Sequence, residues 1–244
     1  MAPLADTFAE EFPVPQKRPA IESQTNNKAP NSPSNSVLNA GDKVCFDQLK
    51  LSGASFTRID SITDENGCGI SAPVSLTSPV PGISLTPASQ LSCPAALATI
   101  NWVKTEILPA AKLLYPNDKL LSIRHGSTYV CRNRNQQADT KLSEHAKGNA
   151  IDITGFEFTS GKTLTIEPRQ KTGQIEEAFQ KAIRFGACLH FTTVLGPYSD
   201  AYHSDHLHLD TAKRKSGYRL CRFPEINTVQ DTVQSAEPKA STND

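Results

Sequence analysis

The sequence predicts an α+β domain, a small antiparallel β-sheet with helices packed on it, set between disordered N- and C-terminal tails. Three observations predict it. Two segments carry apolar residues at helical spacing, two pairs of short segments read as strands, and both ends are polar and poor in apolar residues.

The elements follow in chain order. Residues 1–41 hold Pro3, Pro13, Pro15, Pro19, Pro30 and Pro33 in a stretch rich in Asn, Ser and Gln. Such a segment buries too little apolar area to offset its ordering entropy and reads as a disordered tail. Residues 42–224 form the expected domain, and 225–244 form a second polar tail. Within the domain, residues 45–91 are short apolar pieces broken by Pro73, Pro79, Pro81 and Pro87, which predicts loops and short edge strands.

A helix is expected from Ser92 as N-cap, with Pro94 in its first turn. Its apolar stripe is Leu97, Ile100, Val103, Ile107, Ala111 and Leu114, and Pro109 should kink or interrupt it. Trp102 reads as a packing residue. Residues 149–158 and 163–167 predict a hairpin around Ser160-Gly161. A second helix is expected over 173–185, with Ile175, Ala178, Phe179, Ala182 and Ile183 inward and Gly186 as its stop. Residues 190–195 and 205–210 predict two further strands.

Bulk properties exclude some functions. The formal net charge of the 244-residue chain is zero, so nothing in the balance calls for nucleic acid or an anionic membrane surface. No stretch has transmembrane length, and the oligomeric state is not encoded in any visible pattern. Six widely spaced cysteines without a C-x-x-C pair fit a disulfide framework in an oxidising compartment, with 15 pairings open. That predicts a periplasmic or secreted protein. Residues 1–20 contain no apolar signal core, so the expectation is that the numbered chain starts after a removed signal, with Met1 supplied.

The chemistry concentrates in two places. His206 and His208 sit two apart on a predicted strand, so both imidazoles project from one face while Leu207 and Leu209 turn to the core. The run S-E-H-A-K-G-N-A-I-D, Ser143 to Asp152, puts His145 in a turn and Asp152 in the strand after it, with Gly148 letting the chain double back. Two histidines and one carboxylate leave a fourth place open, the layout of a catalytic zinc site. The competing reading is that each histidine is an ordinary surface or core residue, which the clustering makes less economical.

S-E-H-A-K-G-N-A-I-D-I-T-G-F and H-S-D-H-L-H-L-D resemble the two signatures of the extensin-like protein C-terminal domain family, itself similar to the lysostaphin and D-alanyl-D-alanine metallopeptidase group. Y-V-C-R (129–132), T-V-L-G-P (193–197) and Y-R-L-C-R (218–222) extend the match. The resemblance implies a metallopeptidase-like fold and a Zn2+ ion held by His145, Asp152 and His208. It implies His206 beside the metal as base or oxyanion group. Asp205 matches the acidic base of one branch, but strand alternation points it away from His206 and His208. Arg132 matches a substrate-binding arginine. Ser143 either contacts substrate or caps the turn. The implied substrate is a peptidoglycan peptide, cut by an endopeptidase or carboxypeptidase. The alternatives are a wall-binding or scaffolding module that hydrolyses nothing, and a zinc amidase acting on another amide.

Overall fold

The computed structural model describes residues 39–137 and 140–223, all within the unit Pro33–Asp244. The expected tails lie almost wholly outside the described residues. Helix α1 (Ala40–Leu51) opens the fold, capped by the Asn39 side chain, which accepts from Asp42 N at 2.8 Å. The sequence reading had only loops and strands from residue 45. This helix has a weak apolar stripe and buries just Phe46 and Leu49, so periodicity does not announce it.

Short strands follow: β1 (Ser55–Arg58), β2 (Ile62–Thr63), β3 (Gly69–Ile70), β4 (Pro73–Ser78), β5 (Ser84–Thr86) and β6 (Leu91–Ser92). Strands β1, β4 and β6 form one antiparallel sheet, and β2 pairs with β3. Helix α2 (Cys93–Trp102) begins after Ser92, with Pro94 in its first turn. Ser92 does not cap it with its side chain; the hydroxyl donates to Asn149 Oδ1 instead, at 2.8 Å. A π turn, Val103–Ile107, leads into α3 (Leu108–Leu114). Pro109 has no N–H to offer the carbonyl four residues back, and the Leu108 N–H bonds Val103 O, five residues back. The helical path runs on without a break to Leu114.

The main sheet takes β7 (Leu120–Ser127), β8 (Ala150–Phe158), β9 (Thr163–Thr165), β10 (Thr193–Leu195), β11 (Leu207–Asp210) and β12 (Leu220–Cys221). With β5 its order is β12-β10-β11-β8-β7-β5, and β9 pairs with β8. The α+β class stands, but the sheet is mixed. Its centre is antiparallel, while β10–β12 and β5–β7 are parallel. The expected hairpin is present as β8–β9.

Helix α4 (Ile175–His190) runs four residues past Gly186, so that glycine is not a stop. A Cβ on Gly186 would collide with the Glu106 side chain, so the residue is small because the π turn packs against it. The helix takes up the start of the strand expected over 190–195, which shortens to β10. The strand expected over 205–210 likewise begins only at Leu207, leaving Asp205 and His206 in a bend.

Helices α2 and α4 share the core with one face of the sheet. Ile151, Ile153, Val194, Leu207 and Leu209 meet Trp102, Phe179, Ile183 and Phe191, all fully buried. Trp102 Nε1 donates to Ile183 O at 2.8 Å, satisfying the one polar atom of a buried indole. Alternation along β8 and β11 therefore puts Asp152, His208 and Asp210 on the opposite face.

The cysteines are all paired: Cys45–Cys93, Cys68–Cys131 and Cys188–Cys221. They tie α1 to α2, the β3 ribbon to the loop after β7, and α4 to the edge strand β12. Among the described residues no helix is long and apolar enough to cross a membrane.

The turn at Glu144–Lys147 ends on Gly148 with φ +64°, a left-handed position. A Cβ there would also overlap the Ile70 side chain and crowd Ser92 N. Gly148→Ala should lower unfolding stability by roughly 1–3 kcal/mol, read as a reduced urea midpoint at unchanged m-value.

Candidate metal centre

His145 is aimed by a tight turn held from both ends. Ser143 caps it, its Oγ accepting from His145 N at 3.3 Å, and Asn149 N donates to Glu144 O at 2.9 Å. Val130 N donates to His145 O at 3.4 Å, and Ser92 N donates to Gly148 O at 2.8 Å. The imidazole is completely buried. Asp152 and His208 stand directly opposite one another in the β8–β11 register. Two strands and one turn thus bring three side chains to one point.

The distances at that point are nearly equal. His145 Nε2 lies 3.1 Å from Asp152 Oδ1 and 3.1 Å from His208 Nδ1, and His208 Nδ1 lies 3.0 Å from Asp152 Oδ1. A tetrahedral ion with bonds of about 2.0–2.1 Å needs donor separations of roughly 3.3–3.4 Å, close to this triangle. Among the described residues these three form the one His/Cys/Asp/Glu group compact enough for a metal ion.

The outer partners decide which atoms face inward. Thr128 O can only accept, so the His145 Nδ1 at 2.6 Å from it carries the proton, and the neutral ring presents a bare Nε2. Asp210 Oδ2 accepts from His208 Nε2 at 3.2 Å, which leaves His208 Nδ1 bare in the neutral ring. Asp210 is itself fixed, accepting from Thr193 Oγ1 at 2.6 Å and Ala212 N at 3.0 Å. Two nitrogen lone pairs and a carboxylate oxygen therefore converge where they repel one another unless a cation or a proton lies between them. Ligand histidines in metal sites use the same arrangement, with the far N–H given to a carboxylate or carbonyl.

The electrostatics agree. Burial alone would lower the His208 pKa, but the carboxylates of Asp152 and Asp210 hold it up to about 9. Burial would raise Asp152, yet hydrogen bonds from His145 and His208 keep it well below the usual carboxylate range. Asp210 is also lowered, its burial outweighed by His208. Without a metal, a proton on His208 relieves the clash of lone pairs.

His206 borders the triad from the bend before β11, with Nε2 3.7 Å from Asp152 Oδ1. Its placement does not come from strand alternation, because it precedes the strand. The same irregularity corrects the orientation expected for Asp205, whose Oδ1 accepts from His206 Nδ1 at 2.7 Å. Neighbouring side chains can meet in a bend where they could not in a strand. Arg132 reaches the other side of Asp152, Nη2 4.0 Å from Oδ2, with about a quarter of its side chain exposed. Ser143 is buried and caps the turn.

His203 joins this group. Its ring centre lies 5.2 Å from that of His206 and 5.6 Å from that of His208, and Nδ1 donates to Asp200 Oδ1 at 2.6 Å. Burial pulls its pKa below the usual histidine value. The other two histidines bond elsewhere, His125 to Pro87 O and His190 to Thr105 and Glu106. Sequence reasoning missed Ser127, Thr128 and Asp210. Asp210 was findable, being two residues beyond His208 on the same strand face. Thr128 acts through its backbone carbonyl, which no residue pattern marks.

A family model, the extensin-like protein C-terminus, matches residues 43–222 of the 244-residue chain. No curated protein and no solved structure matches the chain. The matched span covers well over half of the sequence and contains His145, Asp152, His206, His208 and Asp210. On that match the chain belongs to the extensin-like protein C-terminus family.

Proposed function

We propose that this protein is a zinc-dependent peptidase of the bacterial cell wall, hydrolysing an amide bond in peptidoglycan peptides. The observation that carries the reading is the convergence of three metal-competent donors beside a histidine that has its own carboxylate partner. Two nitrogens and one oxygen suit zinc better than the all-oxygen sets preferred by calcium or magnesium. A resident zinc supplies Lewis-acid activation of water and of the scissile carbonyl.

The chain's own groups support the remaining steps. Asp205 accepts the Nδ1 proton of His206, so the neutral ring keeps Nε2 free on the side of the triad. His206 Nε2 takes the proton of the attacking water as the new C–O bond forms. It returns that proton to the departing nitrogen as the C–N bond breaks. Arg132 stands at the exposed edge of the centre, where a guanidinium can hold a substrate carboxylate or carbonyl oxygen. Ser143 contributes by shaping the turn that aims His145. The three disulfides fit a secreted or periplasmic setting.

Purified protein incubated with isolated peptidoglycan should release cleaved peptides, identified by mass, and a chelator should stop the release. Sedimentation with the wall and no cleavage by the zinc-loaded protein would favour the scaffolding alternative. His208→Ala should lose most bound zinc by elemental analysis. His206→Ala should keep zinc while turnover falls by about 10²–10⁴-fold; wild-type turnover in that variant would remove His206 from the mechanism.

Zinc uptake should also depend on pH. The raised pKa of His208, about 9, means that the metal-free centre carries a proton which the ion must displace. The apparent affinity should therefore fall as pH drops below 9, with release of about one proton per zinc near pH 7.5, measured by titration in two buffers of different ionisation enthalpy.

A further inference from the structure

Asp152 has two carboxylate oxygens, and they are treated differently. Oδ1 faces His145 Nε2 and His208 Nδ1, at 3.1 and 3.0 Å. Oδ2 accepts the hydroxyl proton of Ser127 at 2.7 Å. No competing acceptor draws that proton toward His145, because His145 Nδ1, 3.4 Å from Ser127 Oγ, donates its own proton to Thr128 O. Arg132 Nη2, at 4.0 Å from Oδ2, is beyond hydrogen-bond range and adds charge only.

The backbone is built to make this contact. The β7–β8 pairing slips between His125 and Ser127, and beyond the slip Ser127 stands directly opposite Asp152. A bulge of this kind re-aims the side chain that follows it. Gly126 lies at the slip, where a Cβ would sit 3.2 Å from Thr154 Cγ2. The bulge thus favours a residue without a side chain immediately before the serine.

We infer that Ser127 is a positioning residue that holds Asp152 as a one-oxygen ligand, so that the metal keeps a place for solvent; the inference rests on the zinc reading above. A carboxylate with both oxygens free can bind a cation through both. Here that would raise the coordination number and crowd the fourth place of a three-donor centre. By anchoring Oδ2, Ser127 sets both the geometry of the site and its preference for zinc over larger, oxygen-seeking ions.

The test uses the full chain loaded with cobalt(II), whose visible d–d absorption is strong in four-coordinate sites and weakens as coordination number rises. Ser127→Ala should lose much of that intensity, and its zinc affinity, measured against a chromophoric chelator, should fall about 10–100-fold. Ser127→Thr keeps the hydroxyl and should restore both, with circular dichroism confirming the fold of each variant. A Ser127→Ala protein with the wild-type cobalt spectrum overturns the inference, whether or not its affinity drops. Failure of Ser127→Thr to restore the spectrum does so too. If the wild-type chain binds neither cobalt nor zinc, the metal reading itself falls, which is a different outcome from an unaltered variant.

Discussion

The centre depends on three groups that repel one another unless a proton or a cation lies among them. Two imidazole lone pairs and a carboxylate oxygen are pressed to about 3 Å from one another by elements that have other reasons to be where they are. The β8–β11 register sets Asp152 against His208, and a glycine-terminated turn brings His145 over them. Isolated polar groups in such a place would be strongly unfavourable, and a cation changes the sign of the interaction. The surrounding acceptors, Thr128 O and Asp210, bind the outer N–H groups and so prevent either ring from turning a proton inward while neutral.

The rest of the architecture reads as support for that point. The apolar face of the sheet is locked onto α2 and α4 by Trp102, Phe179 and Phe191, so the polar face is carried on a rigid layer. The Cys68–Cys131 bridge fastens the loop that bears Arg132 one residue from the bond. The irregular backbone on either side of β11 does what regular strand could not. Before it, Asp205 can reach His206. After it, Ala212 N turns back to Asp210.

Much of this was legible in residue types. H-x-H on a predicted strand, the H-x6-D spacing with an intervening glycine, and the two apolar stripes all rest on short-range spacing, which the chain displays directly. The misreadings have physical causes. Gly186 looks like a helix stop until Glu106 is packed against it, and His190 looks like strand until α4 carries on to it. Helix α1 carries little periodicity because only Phe46 and Leu49 are buried. At Gly186 a contact distant in sequence outweighed a local preference of about 1 kcal/mol or less.

The sequence by itself determined the α+β class, the family, the oxidising framework of six cysteines and the identity of the clustered histidines and aspartates, because these follow from composition and short-range spacing. Only the tertiary structure decided the disulfide pairing, the mixed sense of the sheet and the inward-facing atom of each ring. It also decided that Ser127 meets Asp152, and Asp205 meets His206. Those outcomes turn on strand register and on backbone groups from remote segments, and a shift of one residue in pairing would send the same side chains to the opposite face.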